Sequence, residues 1–256
     1  MAQRILILLL LCLSRGIYFP ETTAGGELTV AVAANAAYVF EELSRSFTEH
    51  HDTEITPVVG SSGKLTAQIE QGAPYDLFVS ADMDYPRRLY ERDFAVSPPA
   101  VYAVGMPVLW TAKELDLSLG LEILRSDAVK KIALAHPDLA PYGKAAVQTL
   151  TKNGMLPSIE KKLVYGESIS QVNQYVLSGA ADAGFTALAA VLSPQMKEKG
   201  RWMKLDPESY APIEQGIVIL KYGAENHLKE SRDFYEFILS ETAGDILIKY
   251  GYRLHE

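Results

Sequence analysis

Short apolar runs alternate with amphipathic helical repeats along this 256-residue chain, and this alternation limits the fold more than any other feature. The first predicted strands are 28–33, 55–59 and 75–80, and the helix after the first strand has an apolar face of Ala36, Phe40, Leu43 and Phe47. A βαβαβ order predicts a mostly parallel sheet with helices on both faces. Ligands of such sheets bind at the carboxyl ends of the strands.

A second α/β set follows an apolar stretch at 101–110. Its predicted strands are 131–135, 163–165, 183–186 and 213–220, and its predicted helices are 142–150, 169–176 and 227–239. We therefore predict an α/β fold of two lobes, each a mostly parallel sheet flanked by helices, with a cleft between them. Lobe I is predicted to comprise 25–106 and 214–256, and lobe II to comprise 107–213.

The first 24 residues have the three parts of a secretory signal. Arg4 supplies a positive charge, 5–13 is apolar but too short to span a bilayer, and Ala24 ends a stretch of small residues suited to cleavage. The one cysteine, Cys12, lies inside this segment, so the mature chain is predicted to have none. Lipid attachment at Cys12 is a poorer alternative, because the residue before it is Leu11 rather than a small residue.

The charge balance excludes nucleic acid as a predicted partner. Removal of residues 1–24 takes away Arg4, Arg15 and Glu21, so the net charge of −8 becomes −9. Phosphate backbones require basic patches, and none is present. A small anion is not excluded, because the general field of the protein is screened beyond about 8 Å and local N–H groups then decide affinity.

Four predicted strand-to-helix junctions are suited to an oxyanion. Residues 60–65 read Gly-Ser-Ser-Gly-Lys-Leu, which allows close backbone approach and supplies hydroxyl donors. Asn35 and Ser62 are predicted to cap the helices that follow, with the Asn35 amide still free to donate. Pro141 suits a first helical position, and Ser168 begins a capping box. One such cap is ordinary, but four at the ligand-binding edge predict an anion site.

Most of the chain beyond the signal resembles the periplasmic molybdate-binding proteins of ABC importers. The matching segments are 28–43, 60–82, 136–150, 165–173, 179–185 and 244–254, of which 61–82 is the densest. The resemblance implies a type II periplasmic-binding-protein fold and no enzymatic activity. It also implies an extracytoplasmic monomer that captures molybdate, and tungstate, without a cofactor and delivers it to the membrane permease of an ABC transporter.

Carried over position by position, the resemblance also implies the site residues. The principal anion contacts are Asn35, Ser62, Tyr142 and Ile169, and the additional candidates are Ala34, Ser61, Gly63 and Thr186. Ile169 is expected to act through its backbone N–H. Some members have a tyrosine where this chain has Ala187, so we infer that Tyr142 supplies the tyrosine donor from another loop, with Thr186 as a substitute donor.

The chemistry of these positions agrees with a proton-free tetrahedral dianion. Molybdate and tungstate present only acceptors at neutral pH, and the predicted set offers only donors. Phosphate retains a proton and needs an acceptor, so it is disfavoured. Sulfate stays open as an alternative, because hydrogen bonding does not separate it from molybdate and only cavity size does. An organic solute is the other alternative, kept open by Tyr142.

Enzyme signatures are absent from the sequence. The serine pair in 60–63 lacks the G-x-S-x-G spacing of a nucleophile elbow. The chain has no His-Glu-x-x-His motif, its five histidines are scattered, and only His136, at the third loop, is a secondary candidate for the cleft. We predict no catalytic residue and no directly bound metal, with molybdenum or tungsten held only as the oxyanion.

Overall fold

The computed structural model describes residues 26–254, so the predicted signal at 1–24 lies outside the described residues. In this part of the chain the strands are β1 (Gly26–Ala33), β2 (Thr53–Gly60), β3 (Leu77–Val79), β4 (Ala100–Gly105), β5 (Pro107–Thr111), β6 (Ile132–Ala135), β7 (Leu163–Gly166), β8 (Ala183–Ala187), β9 (Arg201–Lys204) and β10 (Ile213–Ile219). They form two sheets, in the orders β2-β1-β3-β10-β4 and β7-β6-β8-β5-β9.

Helices cover the sheets. The α-helices of the described residues are α1 (Ala37–Thr48), α2 (Ser62–Glu70), α3 (Asp84–Glu91), α4 (Pro141–Lys152), α5 (Leu156–Ile159), α6 (Ile169–Leu177), α7 (Leu188–Leu192), α8 (Lys221–Asn226), α9 (Leu228–Ile238) and α10 (Glu241–Lys249). Short 3-10 helices lie at Leu117–Arg125, Glu160–Lys162 and Pro207–Ser209. No helix among residues 26–254 has both the length and the apolar character needed to cross a bilayer.

The predicted two-lobed α/β fold is confirmed, but its sheets are mixed rather than mostly parallel. Strand β1 pairs in parallel with β2 and β3, whereas β10 runs antiparallel to β3 and β4. In the second sheet β6 pairs in parallel with β7 and β8, whereas β5 runs antiparallel to β8 and β9. The expectation failed because β4, β5, β9 and β10 lie where the chain crosses between the sheets. Parallel neighbours in one sheet are joined by a helical crossover. A strand that enters from the other sheet has no such connection to its neighbour, so it can run antiparallel to it.

Each sheet has its own apolar core. Beside the first sheet, the ring of Phe234 makes edge contacts with Phe40 and Phe47 at centroid distances of 5.8 and 5.0 Å. Leu247 of α10 joins the same core, so the C-terminal segment returns to the first sheet as predicted. Phe185 lies in the core of the second sheet. The two packed bodies leave the carboxyl ends of β1, β2, β6 and β7 to form the region between them.

Candidate functional site

A small cavity lies between the two sheets, where strand-to-helix loops of both come together. Its lining residues are Ala33, Ala34, Asn35, Ser61, Ser62, Ala81, Ala140, Pro141, Tyr142 and Ile169. None of these side chains carries a formal charge. All four principal candidates of the sequence lie here, with the additional candidates Ala34 and Ser61, although they come from four separate loops.

Ser61 contributes a buried hydroxyl that has no hydrogen-bond partner among residues 26–254. The residue is only 3 % exposed and is the N-cap of α2, yet its side chain makes no capping bond. An unsatisfied buried hydroxyl costs about 1–3 kcal/mol. An acceptor in the cavity would remove this cost, so the geometry of Ser61 itself indicates a ligand.

Ser62 is the first residue of α2 and not its cap, so the predicted capping role was wrong. Its hydroxyl oxygen instead accepts a hydrogen bond from the backbone N–H of Ala81 at 3.0 Å. This bond connects the start of α2 to the end of β3 and occupies an acceptor position of the hydroxyl. Because a hydroxyl has one proton, Ser62 can donate it to a ligand in the cavity.

The two expectations for the Asn35 side chain were also wrong. Ala36 is the N-cap of α1 and makes no side-chain capping bond. The Asn35 amide Nδ2 donates to Gln215 Oε1 at 2.8 Å and to the Tyr252 hydroxyl at 3.4 Å, so its protons are engaged. The side chain turns away from the helix end because a buried amide needs several partners. Asn35 can therefore donate to a ligand in the cavity through its backbone N–H.

Tyr142 is the second residue of α4, directly after Pro141 at the predicted first position. Its ring is buried and its hydroxyl accepts from Gln215 Nε2 at 3.0 Å. Burial raises the pKa of the Tyr142 hydroxyl well above its ordinary value, because an apolar environment disfavours the phenolate. Tyr142 therefore keeps its proton and remains a neutral donor.

Ile169 begins α6 and Ser168 caps this helix as predicted, but the capping box is incomplete, because the side chain of Gln171 accepts from Glu167 rather than from Ser168. The Ser168 hydroxyl accepts from the backbone N–H of Gln171 at 3.4 Å, and Gln171 Oε1 accepts from the N–H of Glu167 at 2.6 Å. The first N–H groups of a helix have no intrahelical acceptor, and the helix dipole adds partial positive charge there. The N–H groups of Ile169 and Ser170 therefore suit an anion.

Two additional candidates lie outside the cavity, and other partners occupy their predicted donors. The N–H of Gly63 donates to the carbonyl of Leu139 at 3.0 Å, where the start of α2 approaches the loop before α4. Thr186 Oγ1 donates to Asn173 Oδ1 at 2.6 Å beneath α6. The prediction of Thr186 as a substitute donor was wrong, because its proton is engaged, and the N–H of Gly63 is engaged as well. Ala187, predicted only to pack, is fully buried.

His136 does not line the cavity. Its ring lies 5.6 Å from the ring of Tyr165, and its side chain is 46 % exposed beside Asp138. The suggestion that His136 reaches the cleft therefore has no support in its position.

Direct contacts hold the two lobes closed over the cavity. In addition to the Gly63–Leu139 bond, the Tyr85 hydroxyl donates to the carbonyl of Asp138 at 2.9 Å. Lys64 Nζ pairs with Glu167 Oε1 at 2.6 Å. A Cβ at Gly63 would lie 2.8 Å from the Tyr85 hydroxyl and 3.1 Å from the Cα of Leu139, so glycine permits this approach.

A second, charged groove lies beside the cavity, also between the lobes. Its charged lining residues are Asp82, Asp84, Arg87, Lys144 and Glu214. Burial, with a smaller contribution from the nearby Asp84 carboxylate, raises the pKa of Asp82 to about 6. The hydrogen bond from the Tyr85 N–H, at 3.2 Å, acts in the opposite direction. The sequence alone did not indicate this groove.

Sequence reasoning also missed Gln215, which connects Asn35 to Tyr142. Gln215 is fully buried on β10. It shares a strand face with Ile213 and Ile217, and a polar residue on the apolar face of a strand was the available signal.

Comparisons with known proteins agree with the fold. The family described as bacterial extracellular solute-binding protein matches residues 28–253. The chain therefore belongs to this family of solute-binding proteins, which are not enzymes, as predicted.

Within that class, the chain is similar to molybdate-binding proteins. It is 37% identical to the molybdate-binding protein ModA of Rhodobacter capsulatus over 243 residues, which cover 94% of this chain and 93% of the relative. It is 34% identical to the ModA of Azotobacter vinelandii, over 89% of this chain and 90% of the relative. The solved structure of the Azotobacter vinelandii periplasmic molybdate-binding protein has a TM-score of 0.83 and 33% identity, covering 90% of this chain and all of that one.

Proposed function

We propose that this protein captures molybdate, and also tungstate, in the cavity between its lobes. The observation that carries the proposal is a lining with hydrogen-bond donors but no charged side chain, in which the Ser61 hydroxyl has no partner within residues 26–254. The similarity to proteins named as molybdate-binding, at 37% and 34% identity, supports the choice of anion.

The available donors are sufficient for tight binding. They are the hydroxyls of Ser61, Ser62 and Tyr142 and the backbone N–H groups of Asn35 and Ile169. A hydrogen bond to a charged group contributes about 1.5–3 kcal/mol, and micromolar affinity requires about 8 kcal/mol. Four or five such bonds therefore account for micromolar or tighter binding without a lysine, and exclusion of water by the closed lobes strengthens each of them.

Sulfate and small organic solutes are the competing ligands. Sulfate presents the same acceptors and differs from molybdate in size. An organic carboxylate or amine is normally bound by a charged partner, which the cavity lining does not supply. Phosphate at neutral pH carries a proton that needs an acceptor, so it would use a lining hydroxyl as an acceptor and lose a donor that molybdate keeps.

Isothermal titration calorimetry with molybdate, tungstate, sulfate and phosphate tests this function. We expect Kd values at or below the micromolar range for molybdate and tungstate, and weak or no binding of sulfate and phosphate. Equal affinity for sulfate would contradict the molybdate assignment while leaving the site in place.

A matched pair of variants tests the location of the site. Ser61→Ala removes the unpartnered hydroxyl of the cavity, and Ser44→Ala removes another buried hydroxyl that lacks a partner among the described residues but lies in α1, outside the cavity. We expect Ser61→Ala to weaken molybdate binding about tenfold or more and Ser44→Ala to leave it unchanged. Equal effects of the two variants would remove Ser61 from the site.

We infer export through the segment 1–24, an extracytoplasmic monomer, and delivery of the anion to the permease of an ABC transporter. We also propose the lobe boundaries predicted above, 25–106 with 214–256 and 107–213. They are supported by the sheet change between β4, which ends at Gly105, and β5, which begins at Pro107.

A further inference from the structure

Gln215 is at the centre of a buried hydrogen-bond network behind the cavity. Its Oε1 accepts from Asn35 Nδ2 at 2.8 Å and from the Tyr102 hydroxyl at 2.7 Å. Its Nε2 donates to the Tyr142 hydroxyl at 3.0 Å. Gln215 does not line the cavity itself, so it can influence a ligand only through its neighbours.

The direction of these hydrogen bonds follows from one backbone carbonyl. The carbonyl of Asn35 can only accept, so the Tyr252 hydroxyl donates to it, at 3.2 Å. Tyr252 must then accept from the Asn35 amide, which places Nδ2 toward both Tyr252 and Gln215. Oε1 of Gln215 faces that amide, and Nε2 is left to face Tyr142.

The backbone around Gln215 is shaped for this arrangement. Gln215 of β10 pairs with Ala103 of β4, and Gly216 pairs with Val101, so Tyr102 is the extra residue of a β-bulge, which re-aims side chains locally. Gly105 on β4 lies against both polar groups, and a Cβ there would overlap the Tyr142 hydroxyl and the Gln215 amide. The missing side chain at Gly105 therefore lets the two groups meet.

We propose that Gln215 is a positioning residue, which holds the Tyr142 hydroxyl as an accepting group on one side so that its only proton is directed to the bound oxyanion. The inference rests on the proposed function, because it requires an acceptor in the cavity. It extends that function, because Gln215, which lies outside the cavity, sets the direction of the Tyr142 hydroxyl in the lining.

A double-mutant cycle tests the coupling between the two side chains. Gln215→Met keeps the size of the side chain but removes its donor and acceptor, and Tyr142→Phe removes the hydroxyl. We expect Gln215→Met to raise the molybdate Kd about tenfold when Tyr142 is present and less than about twofold in the Tyr142→Phe background. A purely structural role would lower the melting temperature equally in both backgrounds and weaken binding equally in both.

A nearly isosteric change gives a second, pH-dependent readout. In Gln215→Glu a protonated carboxyl can still accept from Asn35 and donate to Tyr142. The carboxylate can only accept, so the Tyr142 hydroxyl would point to the carboxylate and not to the ligand. We expect the Glu variant to approach wild-type affinity as the pH is lowered from 8 to 6, with the wild type and Gln215→Met measured in parallel to remove the pH dependence of other groups.

The outcomes separate the two levels of the proposal. Wild-type protein that binds no molybdate would overturn the proposed function and this inference with it. Wild-type binding with equal losses from Gln215→Met in both backgrounds, or a Glu variant that does not recover relative to the controls, would overturn only the role of Gln215. Coupled losses together with recovery of the Glu variant support it.

Discussion

The cavity and the charged groove are neighbours between the same two lobes, and Pro141 lines both, yet their chemistry is opposite. The lining of the cavity is buried apart from Pro141 and has no charged side chain, whereas the groove is lined by five acidic or basic residues. A buried ionised group requires compensation for its lost hydration, while a neutral hydroxyl or N–H is desolvated at lower cost. The cavity therefore offers a ligand only fixed dipoles, and the ionised groups lie in the surrounding contact between the lobes.

This separation has a consequence for selectivity. A lysine in the cavity would attract any anion of suitable charge, including protonated phosphate. Fixed donors also require that every ligand oxygen be an acceptor, so they discriminate by protonation as well as by charge. Lys64, the cation in the 60–65 loop, instead pairs with Glu167 at 2.6 Å.

The largest expected effect follows from removing a donor from the cavity. Ser62→Ala deletes the hydroxyl and also leaves the N–H of Ala81 without its acceptor. We expect a loss of about 2–3 kcal/mol in molybdate binding, because a hydrogen bond to a charged group is lost. Calorimetry measures the affinity and thermal unfolding of the ligand-free protein measures the structural part. Unchanged affinity would show that Ser62 is outside the site, and it would contradict the contrast between the cavity and the charged groove.

A smaller effect is expected at the carboxylate of the groove. Burial raises the pKa of Asp82 from 3.8 to about 6, so the folded protein binds a proton between pH 4 and 6 that the unfolded chain releases. Stability from this group therefore increases as the pH falls from about 7 toward 4, and above pH 6 the buried charge is destabilising.

Asp82→Asn keeps an oxygen that can accept from Tyr85 and removes the charge. We expect it to raise the free energy of unfolding at pH 7.5 by about 1–2 kcal/mol and to flatten the stability change between pH 4 and 6. Urea unfolding across this pH range measures both, and Asp127→Asn is the matched control because the Asp127 side chain is fully exposed. The same response from both variants would contradict the role of burial at Asp82.

The smallest expected effect comes from the ion pair between the lobes. The Lys64 and Glu167 side chains are 50% and 47% exposed, and an exposed ion pair contributes about 0–1 kcal/mol. Lys64→Ala should therefore change the molybdate Kd by less than about fivefold, with a smaller difference at high salt. A loss as large as that of Ser62→Ala would mean that the Lys64 charge acts on the anion, and the contrast between cavity and groove would fail.

Much of the fold was predictable because the signals are local. The apolar face of Ala36, Phe40 and Phe47 predicted α1, and the Ser168 capping box predicted where α6 begins. Strand direction was less predictable: the antiparallel pairing of β10 depends on which sheet the chain enters after a crossover. Apolar periodicity contains no information on that choice.

For the candidate site, too, the positions of the residues were predictable and their hydrogen bonds were not. Ser62, Tyr142 and Ile169 were brought to the cavity as expected, since each belongs to a strand-to-helix junction. The roles of individual donors were not predictable. Ser61 rather than Ser62 occupies the N-cap position of α2, without a capping bond, and the Asn35 amide bonds to Gln215, which is 180 positions away in the sequence.

The sequence by itself determined which loops meet and what kind of donors they contain, because strand-to-helix alternation and capping residues act over a few positions. The tertiary structure alone decided which of those donors are free for a ligand. That depends on buried groups from distant segments: Gln215 and Tyr252 engage the Asn35 amide, Leu139 engages Gly63, and the Ser61 hydroxyl has no such partner within residues 26–254. A buried polar group bonds to whatever the fold places within about 3 Å, and that proximity is a property of packing rather than of local sequence.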